Sequence, residues 1–143
     1  ASLFFCYNDI YMSKSVEFYP IEPLYKKENG LYVQEIDRTD LPLGFKPKVR
    51  HLVTIPPGVT SANHRHPRTE GFIGVGDNLT FYWLDEHGTR KSENMVPEGE
   101  HLLFVVPPNV PHAIVNNSDA PAVLLEYADK PQIDSDIDIV KVI

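Results

Sequence analysis

Short apolar runs separated by turn-forming residues dominate the chain. The runs are rich in Val, Ile, Leu, Phe and Tyr, and clusters of Pro, Gly, Asn and Asp bound them. This pattern is typical of short β-strands joined by turns. No segment carries apolar residues at helical spacing over three turns, so few or no helices are expected. The pattern predicts strands at residues 31–36, 47–55, 70–76, 79–84, 101–106, 112–115, 122–127 and 137–142.

The clearest local prediction is a hairpin formed by residues 70–76 and 79–84. Asp77 and Asn78 lie between the two runs, and both residue types tolerate the positive φ angles of a tight turn. About eight short strands in one small chain imply a closed or nearly closed β structure, because closure removes exposed strand edges. We therefore predict an all-β fold, and the strand count alone leaves a sandwich and a barrel as alternatives.

Length and composition indicate one domain. A chain of 143 residues has the usual size of a single domain, and 42% hydrophobic residues are enough to fill one core. We expect residues 1–143 to form that domain, with a barrel core at about 45–128, strands in 1–44 and a tail or edge strand in 129–143. No apolar run approaches the roughly 20 residues that span a bilayer, so no membrane partner is expected.

The formal net charge of −7 argues against a nucleic-acid partner, because an acidic chain repels phosphate backbones unless a basic patch intervenes. Alternation places Lys46, Lys48 and Arg50 on one strand face, which is either a solvated face or a clamp for an anionic substrate. The one cysteine, Cys6, excludes an intrachain disulfide. The apolar stretch 3–5 is too short for a secretory signal, so we expect a cytoplasmic protein.

The residues with the clearest chemistry are two histidines, a glutamate and a third histidine further along. His64 and His66 are two positions apart, so in an extended chain they project from one face and can converge on one ion. Glu70 begins the next predicted strand and can return a carboxylate to the same place. His112 follows a proline-rich turn at the start of another strand. A half-exposed surface pair is the alternative interpretation of the first two histidines.

Residues 58–76 resemble the first sequence motif of the cupin family. That motif has a glycine, five residues, His-x-His, three or four residues, a glutamate, and a glycine after a further strand. In this chain Gly58, His64, His66 and Glu70 match in type and spacing, and Gly76 comes one residue earlier than is usual.

Residues 107–116 are similar to the second cupin motif, which has a glycine, then Pro-x-Gly, two residues, a histidine, three residues and an asparagine. Gly99 lies two residues further upstream than the first glycine of this motif. His112 and Asn116 stand at the last two of these positions. Asn109 replaces the glycine, which is a mild change because Asn is the best non-glycine residue for a left-handed turn.

The resemblance implies a jelly-roll β-barrel that holds an ion inside, near one mouth. It implies His64, His66, Glu70 and His112 as the ligands of one divalent transition metal. Three imidazoles and one carboxylate suit Fe, Mn, Ni, Co or Zn, and the order of affinities does not choose among them. The resemblance also implies a homodimer, in which N-terminal strands cross to the partner.

Strand alternation predicts which side chains surround such an ion. If Glu70 faces inward, Phe72, Gly74 and Gly76 do so too. The two glycines then either leave space above the ion for a substrate or fit the bend of a tight barrel.

On other strands, alternation leaves pairs of alternatives, because residues with opposite parity face opposite sides. The alternatives are Phe81 and Trp83 or Tyr82 and Leu84, Glu126 or Tyr127, and Arg50 or His51. Tyr82, His51 and Arg50 are the catalytic candidates, as groups able to orient the substrate or move a proton beside the ion.

These features together predict a metal-dependent enzyme of the isomerase, epimerase or lyase type, whose ligand is a small polar molecule such as a sugar or an oxo-acid. Residues 64–70 look like small cupins associated with sugar and surface-polysaccharide pathways. An Fe(II) dioxygenase is one alternative, because open positions on such an ion bind O₂. A non-catalytic cupin that binds a sugar is the other alternative.

Overall fold

The structure, a computed structural model, describes residues 15–36 and 45–143. The all-β prediction is confirmed, because the helical elements in these ranges are two single-turn 3-10 helices, Pro97–Gly99 and Asp134–Asp136. The strands are β1 Glu17–Pro20, β2 Pro23–Lys26, β3 Tyr32–Gln34, β4 Val49–Ile55, β5 Thr60–Arg65, β6 Glu70–Val75, β7 Leu79–Leu84, β8 Arg90–Asn94, β9 Leu102–Val106, β10 His112–Asn116, β11 Ala122–Ala128 and β12 Asp138–Ile139.

Two five-stranded antiparallel sheets enclose the interior. The first sheet has the order β1-β9-β6-β11-β4, and the second has the order β12-β5-β10-β7-β8. Strands β2 and β3 form a separate two-stranded ribbon. Strands that follow one another in sequence alternate between the sheets over much of the chain, which is the arrangement of a cupin jelly roll. The fold expected from the two motifs is therefore confirmed.

Alternation along β7 places its aromatic side chains inside. Phe81 and Trp83 are buried in the core between the sheets, so the first of the two alternatives for this strand is correct. The Phe81 ring lies 5.9 Å from the Phe72 ring and 4.9 Å from the Phe104 ring, measured between centroids. Since Phe72 and Phe104 belong to the first sheet, these contacts join the two sheets.

Strand β6 is apolar on both faces because it has a core on each side. Phe72 packs between the sheets, whereas Ile73 joins a second cluster on the outer face of the first sheet. The buried members of that outer cluster are Ile21, Phe45, Ile73, Leu103, Val105 and Tyr127. A strand that is buried on both faces shows no alternation, which explains the continuous apolar run in the sequence.

The glycines of β6 do not leave space above the histidines. A Cβ atom on Gly74 would lie 2.9 Å from Cδ1 of Leu79 and 3.1 Å from Cβ of Met95, so both neighbours occupy the volume that the missing side chain frees. Gly76 has a φ of 130° and turns the chain out of the strand. The second interpretation of these glycines, close packing in a tight barrel, is therefore the correct one.

Several elements differ from the sequence prediction. The predicted hairpin of residues 70–76 and 79–84 is wrong, because β6 pairs with β9 and β11 in the first sheet whereas β7 pairs with β8 and β10 in the second. Strand β8 was not predicted, because all five of its residues are exposed at a sheet edge and it carries no apolar signal. The predicted strand 137–142 shortens to Asp138–Ile139, and strand 31–36 shortens to Tyr32–Gln34.

Two further predictions concern the homodimer and the membrane. The N-terminal stretch 3–5, which we expect to take part in a homodimer, lies outside the described residues, and the homodimer stays a prediction. Among residues 15–36 and 45–143, no helix is long and apolar enough to cross a membrane.

Candidate metal centre

The four predicted ligands lie together at one end of the barrel interior. His64, near the end of β5, is the direct partner of His112, the first residue of β10. His66 follows β5 at once, and Glu70 is the first residue of β6 in the other sheet. The three imidazole rings have centroid separations of 4.9, 5.2 and 5.8 Å. The structure thus brings all four side chains to one place.

A bulge in β5 immediately precedes the first histidine. The partners of His112 and Ala113 are His64 and Ala62, so Asn63 is an extra residue in the ladder. Ala62 and Asn63 have φ angles of 74° and 57°, in the left-handed region. Bulges re-aim neighbouring side chains and are frequent beside functional sites. The sequence carries no clear signal for this bulge, because Ala is an unfavourable residue at positive φ.

Glu70 contacts two of the imidazoles directly. Its Oε1 lies 2.8 Å from Nε2 of His66 and 3.2 Å from Nε2 of His112. One ring nitrogen from each of His64, His66 and His112 lies within 4.8 Å of the others. Ligand atoms bound at about 2.0–2.2 Å to one ion are roughly 3 Å apart when they are neighbours. The Glu70 contacts have that spacing.

Apart from their contacts with one another, the converging atoms have no hydrogen-bond partners among the described residues. Nε2 of His66, Nε2 of His112 and Oε1 of Glu70 are buried and form no hydrogen bond with the described residues, and such orphaned groups are costly. Nδ1 of His112 donates to the carbonyl oxygen of Val110 over 2.9 Å, which fixes the tautomer and leaves a lone pair on Nε2. The residues present therefore fit a divalent transition ion held by three imidazoles and one carboxylate.

A buried arginine, which sequence reasoning did not select, holds the glutamate in place. Nη2 of Arg68 donates to Oε2 of Glu70 over 2.8 Å and to Oε1 of Glu126 over 2.9 Å, while Nη1 donates to the carbonyl oxygen of Lys130 over 3.2 Å. Arg68 is only 4% exposed. The guanidinium occupies one oxygen of Glu70 and leaves the other directed at the histidines.

Burial and neighbouring charges shift the pKa values of two of these groups. Burial raises the pKa of Glu70, but its contacts with His112 and His66 more than offset this effect and hold the pKa well below the usual range. Burial, together with the nearby imidazoles of His112 and His66, lowers the pKa of His64 to about 4. Glu70 is therefore charged and His64 neutral near pH 7, which are the forms that bind metal ions.

The low pKa of His64 predicts a pH dependence for the metal-free protein. Between its ordinary pKa of 6.5 and the folded value of about 4, the unfolded chain binds a proton that the folded chain does not. Stability from this residue should therefore fall as the pH drops from about 6.5 to 4. We expect denaturant midpoints, measured in chelator at several pH values, to fall less steeply in His64→Asn. Identical pH slopes would contradict the assignment.

The three catalytic candidates lie in different places. His51 lies on the inner side of β4, its Nδ1 3.5 Å from Oε1 of Glu126, and its side chain is 48% exposed. Arg50 lies on the opposite face, with its guanidinium 5.9 Å from the ring centroid of Tyr127 in the outer cluster. Tyr82 lies on the outer side of β7, opposite to the buried Phe81.

The structure therefore brings only His51 of these candidates toward the site, and it does so through Glu126. Glu126 rather than Tyr127 faces the interior, because Tyr127 packs in the outer cluster. Arg50 packs against Tyr127 of the outer cluster and Tyr82 lies on the outer side of β7, so their positions give no support to the catalytic roles predicted for them.

Two cavities adjoin the converging side chains. A small cavity of about 50 Å³ is lined by His64, Glu70, His112, Glu126 and Gln132, among others. A larger cavity of about 260 Å³ lies beside it, against His66, Arg68 and residues 130–133. Gln132 lines both cavities, so it forms part of the wall between them.

Similar folds occur among solved structures of sugar-modifying proteins. The dTDP sugar isomerase from Desulfovibrio desulfuricans G20 is 15% identical with a TM-score of 0.66, over 89% of this chain and 84% of that chain. QdtA, a sugar 3,4-ketoisomerase from Thermoanaerobacterium thermosaccharolyticum solved with TDP, is 16% identical with a TM-score of 0.64, over 88% of each chain.

The capsular polysaccharide assembling protein CapF from Staphylococcus aureus is 18% identical with a TM-score of 0.59, over 65% of this chain. The matched region spans only 26% of the CapF chain. At these identities the similarity demonstrates a shared fold.

Family membership follows from the sequence itself. No curated protein matches the chain. The cupin domain family, however, matches residues 51–127, a range that includes every residue of the candidate metal centre and the strands that carry them. That range is more than half of the 143 residues. The chain therefore belongs to the cupin family.

Proposed function

We propose that this cupin is a metal-dependent isomerase or epimerase that acts on a small sugar or a related carbonyl compound. The observation that carries the proposal is the convergence beside a cavity of three buried atoms, Nε2 of His66, Nε2 of His112 and Oε1 of Glu70. Among the described residues, these atoms have polar contacts with one another and no further hydrogen-bond partner. His64 completes the donor set. A divalent ion held there supplies Lewis-acid polarisation of a substrate oxygen.

The chain's own residues supply the proton chemistry. Glu126 lines the small cavity with Glu70 and His112 but belongs to a different strand and is not one of the converging donors. In the proposed reaction its carboxylate takes a proton from the carbon next to the substrate carbonyl. It then returns the proton to the former carbonyl carbon, while the proton of the adjacent hydroxyl group passes to the former carbonyl oxygen. The carbonyl thereby moves by one carbon and no oxidant is consumed.

His51 connects this carboxylate to the surface. Its Nδ1 is 3.5 Å from Oε1 of Glu126, and nearly half of its side chain is exposed to solvent. Arg68 fixes the orientation of Glu126, because its Nη2 binds Oε1 over 2.9 Å.

Similarity to known proteins supports the choice of substrate class. The neighbours from Desulfovibrio and Thermoanaerobacterium are named as sugar isomerases, and one of them has been solved with TDP-4-keto-6-deoxyglucose. Proton transfer next to a carbonyl needs a base beside the substrate, and the carboxylate of Glu126 lines the small cavity. We therefore extend the sugar-isomerase assignment to this chain as a proposal.

Deuterium incorporation tests this proposal after the metal content has been measured. Elemental analysis of the purified protein should give about one equivalent of a transition metal per chain. The loaded protein is then incubated in D₂O with keto sugars, TDP-4-keto-6-deoxyglucose and small oxo-acids, and proton NMR follows exchange next to the carbonyl. We expect exchange that Glu126→Gln lowers at least about 100-fold, in line with the usual share of general acid–base catalysis.

A matched control and two contrary outcomes make the test decisive. Glu93→Gln changes an exposed glutamate on β8 and should leave the exchange rate unchanged. Tight binding of these compounds without exchange would favour a non-catalytic sugar-binding cupin. Substrate-dependent oxygen uptake by the iron-loaded protein would favour a dioxygenase.

A further inference from the structure

The C-terminal strap, residues 129–143, crosses the mouth of the barrel from one sheet to the other. It leaves the first sheet at the end of β11, where Asp129 and Thr69 form two hydrogen bonds: the Asp129 amide donates to the Thr69 carbonyl oxygen over 3.2 Å, and the Thr69 amide donates to the Asp129 Oδ1 over 3.0 Å. Arg68 then binds the carbonyl oxygen of Lys130. This end of the strap is therefore tied to the network that holds Glu70.

The other end of the strap is tied to β5, beside the first histidine. Strand β12 pairs with β5, with Asp138 opposite Arg65 and their side chains forming an ion pair over 2.8 Å. Oδ1 of Asn63 accepts hydrogen bonds from the amides of Val142 and Ile143 over 3.0 and 3.2 Å. The bulged residue of β5 thus fastens the end of the chain.

Polar contacts rather than apolar burial hold the strap. Residues 130–136 are all exposed, and the apolar side chains of Ile133 and Ile139 are 57% and 78% exposed. Val142 is the one strap residue that is fully buried. Segments with few buried apolar contacts and exposed hydrogen bonds open at a lower free-energy cost than the core of a protein does. The strap is therefore expected to open at a lower free-energy cost than the barrel strands.

The space at the centre is too small for a sugar while the strap is in place. The cavity of about 50 Å³ beside His64, Glu70 and His112 has room for one or two water molecules. Ligand pockets commonly start at roughly 300 Å³. The cavity of about 260 Å³ beneath the strap lies next to it, with Gln132 in the wall between them. Moving that side chain would join the two spaces.

We propose that the cavity beneath the strap is the entrance to the candidate metal centre and that it holds the body of the substrate. The strap opens by detaching from β5, which withdraws Gln132 from the wall. Pro67, Pro131 and Ile133 supply apolar surface for the carbon face of a ligand, and Gln132 supplies polar atoms for its hydroxyl groups. The nature of the ligand rests on the proposed function, whereas the route of entry does not.

A reversible cross-link between the strap and β5 tests the route. Arg65 and Asp138 are direct cross-strand partners, and such pairs have Cα separations that a disulfide can span. The variant carries Arg65→Cys and Asp138→Cys in a Cys6→Ser background. Metal-free protein is treated with diethyl pyrocarbonate at pH 7, and peptide mass spectrometry follows modification of each histidine.

We expect modification of His66 and His112 to be at least about tenfold slower in the oxidised protein than in the same protein after reduction. His66 and His112 are 5% and 1% exposed, so the reagent reaches them only when the site opens. His87, whose side chain is 79% exposed, serves as the internal control and should react equally in both forms. Equal rates for the buried histidines in the two forms would overturn the proposed entrance.

A second variant tests the same route in the opposite direction without a disulfide. Asn63→Gly keeps a residue that tolerates positive φ but removes the side chain that binds Val142 and Ile143. Loss of these hydrogen bonds should raise the modification rates of His66 and His112 about tenfold. Unchanged rates would also overturn the entrance. Because the protein is metal-free throughout, a failure to bind metal would contradict the proposed function and leave this result intact.

Discussion

The His64→Ala variant is expected to lose stoichiometric binding of a divalent transition metal while its barrel stays folded. His64 is one of the four donors proposed for the ion, and its side chain is half-buried, unlike those of His66 and His112. Mutation of a residue that only orients a metal ligand typically lowers metal affinity about 10- to 100-fold. Removal of a ligand itself should therefore weaken binding by at least about 100-fold. Calorimetric titration and elemental analysis after gel filtration measure this loss.

The matched control is His87→Ala, which removes an exposed imidazole in the turn between β7 and β8. That variant should bind metal as the unmodified protein does. Circular dichroism in the near ultraviolet, sensitive to the packing of Trp83, should be the same for all three proteins in the metal-free state. Full metal occupancy in His64→Ala would remove this residue from the ligand set.

The Arg68→Met variant should lose about 3 to 5 kcal/mol of unfolding free energy in the metal-free protein. Arg68 and Glu70 are both almost completely buried, and the guanidinium is shared with Glu126. Removal of one partner from a buried ion pair leaves an uncompensated charge in the interior, which is among the most destabilising changes known. Here two carboxylates would remain close together without the cation between them. Urea unfolding measures the change.

Three further variants separate this effect from a general loss of an arginine. Arg65→Met removes an exposed ion pair with Asp138 and should cost no more than about 1 kcal/mol. Arg68→Lys keeps the charge but not the planar fork that contacts both carboxylates, so its loss should lie between these values. Adding Glu126→Gln to Arg68→Met should restore part of the stability. A loss below 1 kcal/mol in Arg68→Met would contradict a structural role for the network.

Local sequence patterns predicted much of the fold because they report local geometry. The period of two along β7 separates buried from exposed side chains. Asp77 and Asn78 do separate two strands, but the chain crosses there to the other sheet instead of forming the predicted hairpin, and local turn residues do not report that choice. Strand β8 was not predicted, because an exposed edge strand has no buried side chains and therefore no apolar pattern in its sequence. The bounds of the domain, the homodimer and the cytoplasmic location stay predictions, since no observation of this structure tests them.

The choice between alternative faces required the tertiary structure. Alternation shows that Glu126 and Tyr127 face opposite sides, but only packing decides which side is inside. Tyr127 packs in the outer apolar cluster, so Glu126 faces the interior and accepts a hydrogen bond from Arg68. By the same register His51 lies inside, and Arg50 lies over the ring of Tyr127.

The sequence by itself determined the all-β character, the cupin motifs and the four converging side chains, because each depends on spacing within a short segment or on a recurring motif. The tertiary structure decided which groups surround them. Arg68 contacts Glu126 and Gln132, which are 58 and 64 positions away from it in the sequence. No local period can report such contacts, since they exist only after two sheets and the C-terminal strap have closed around the same space.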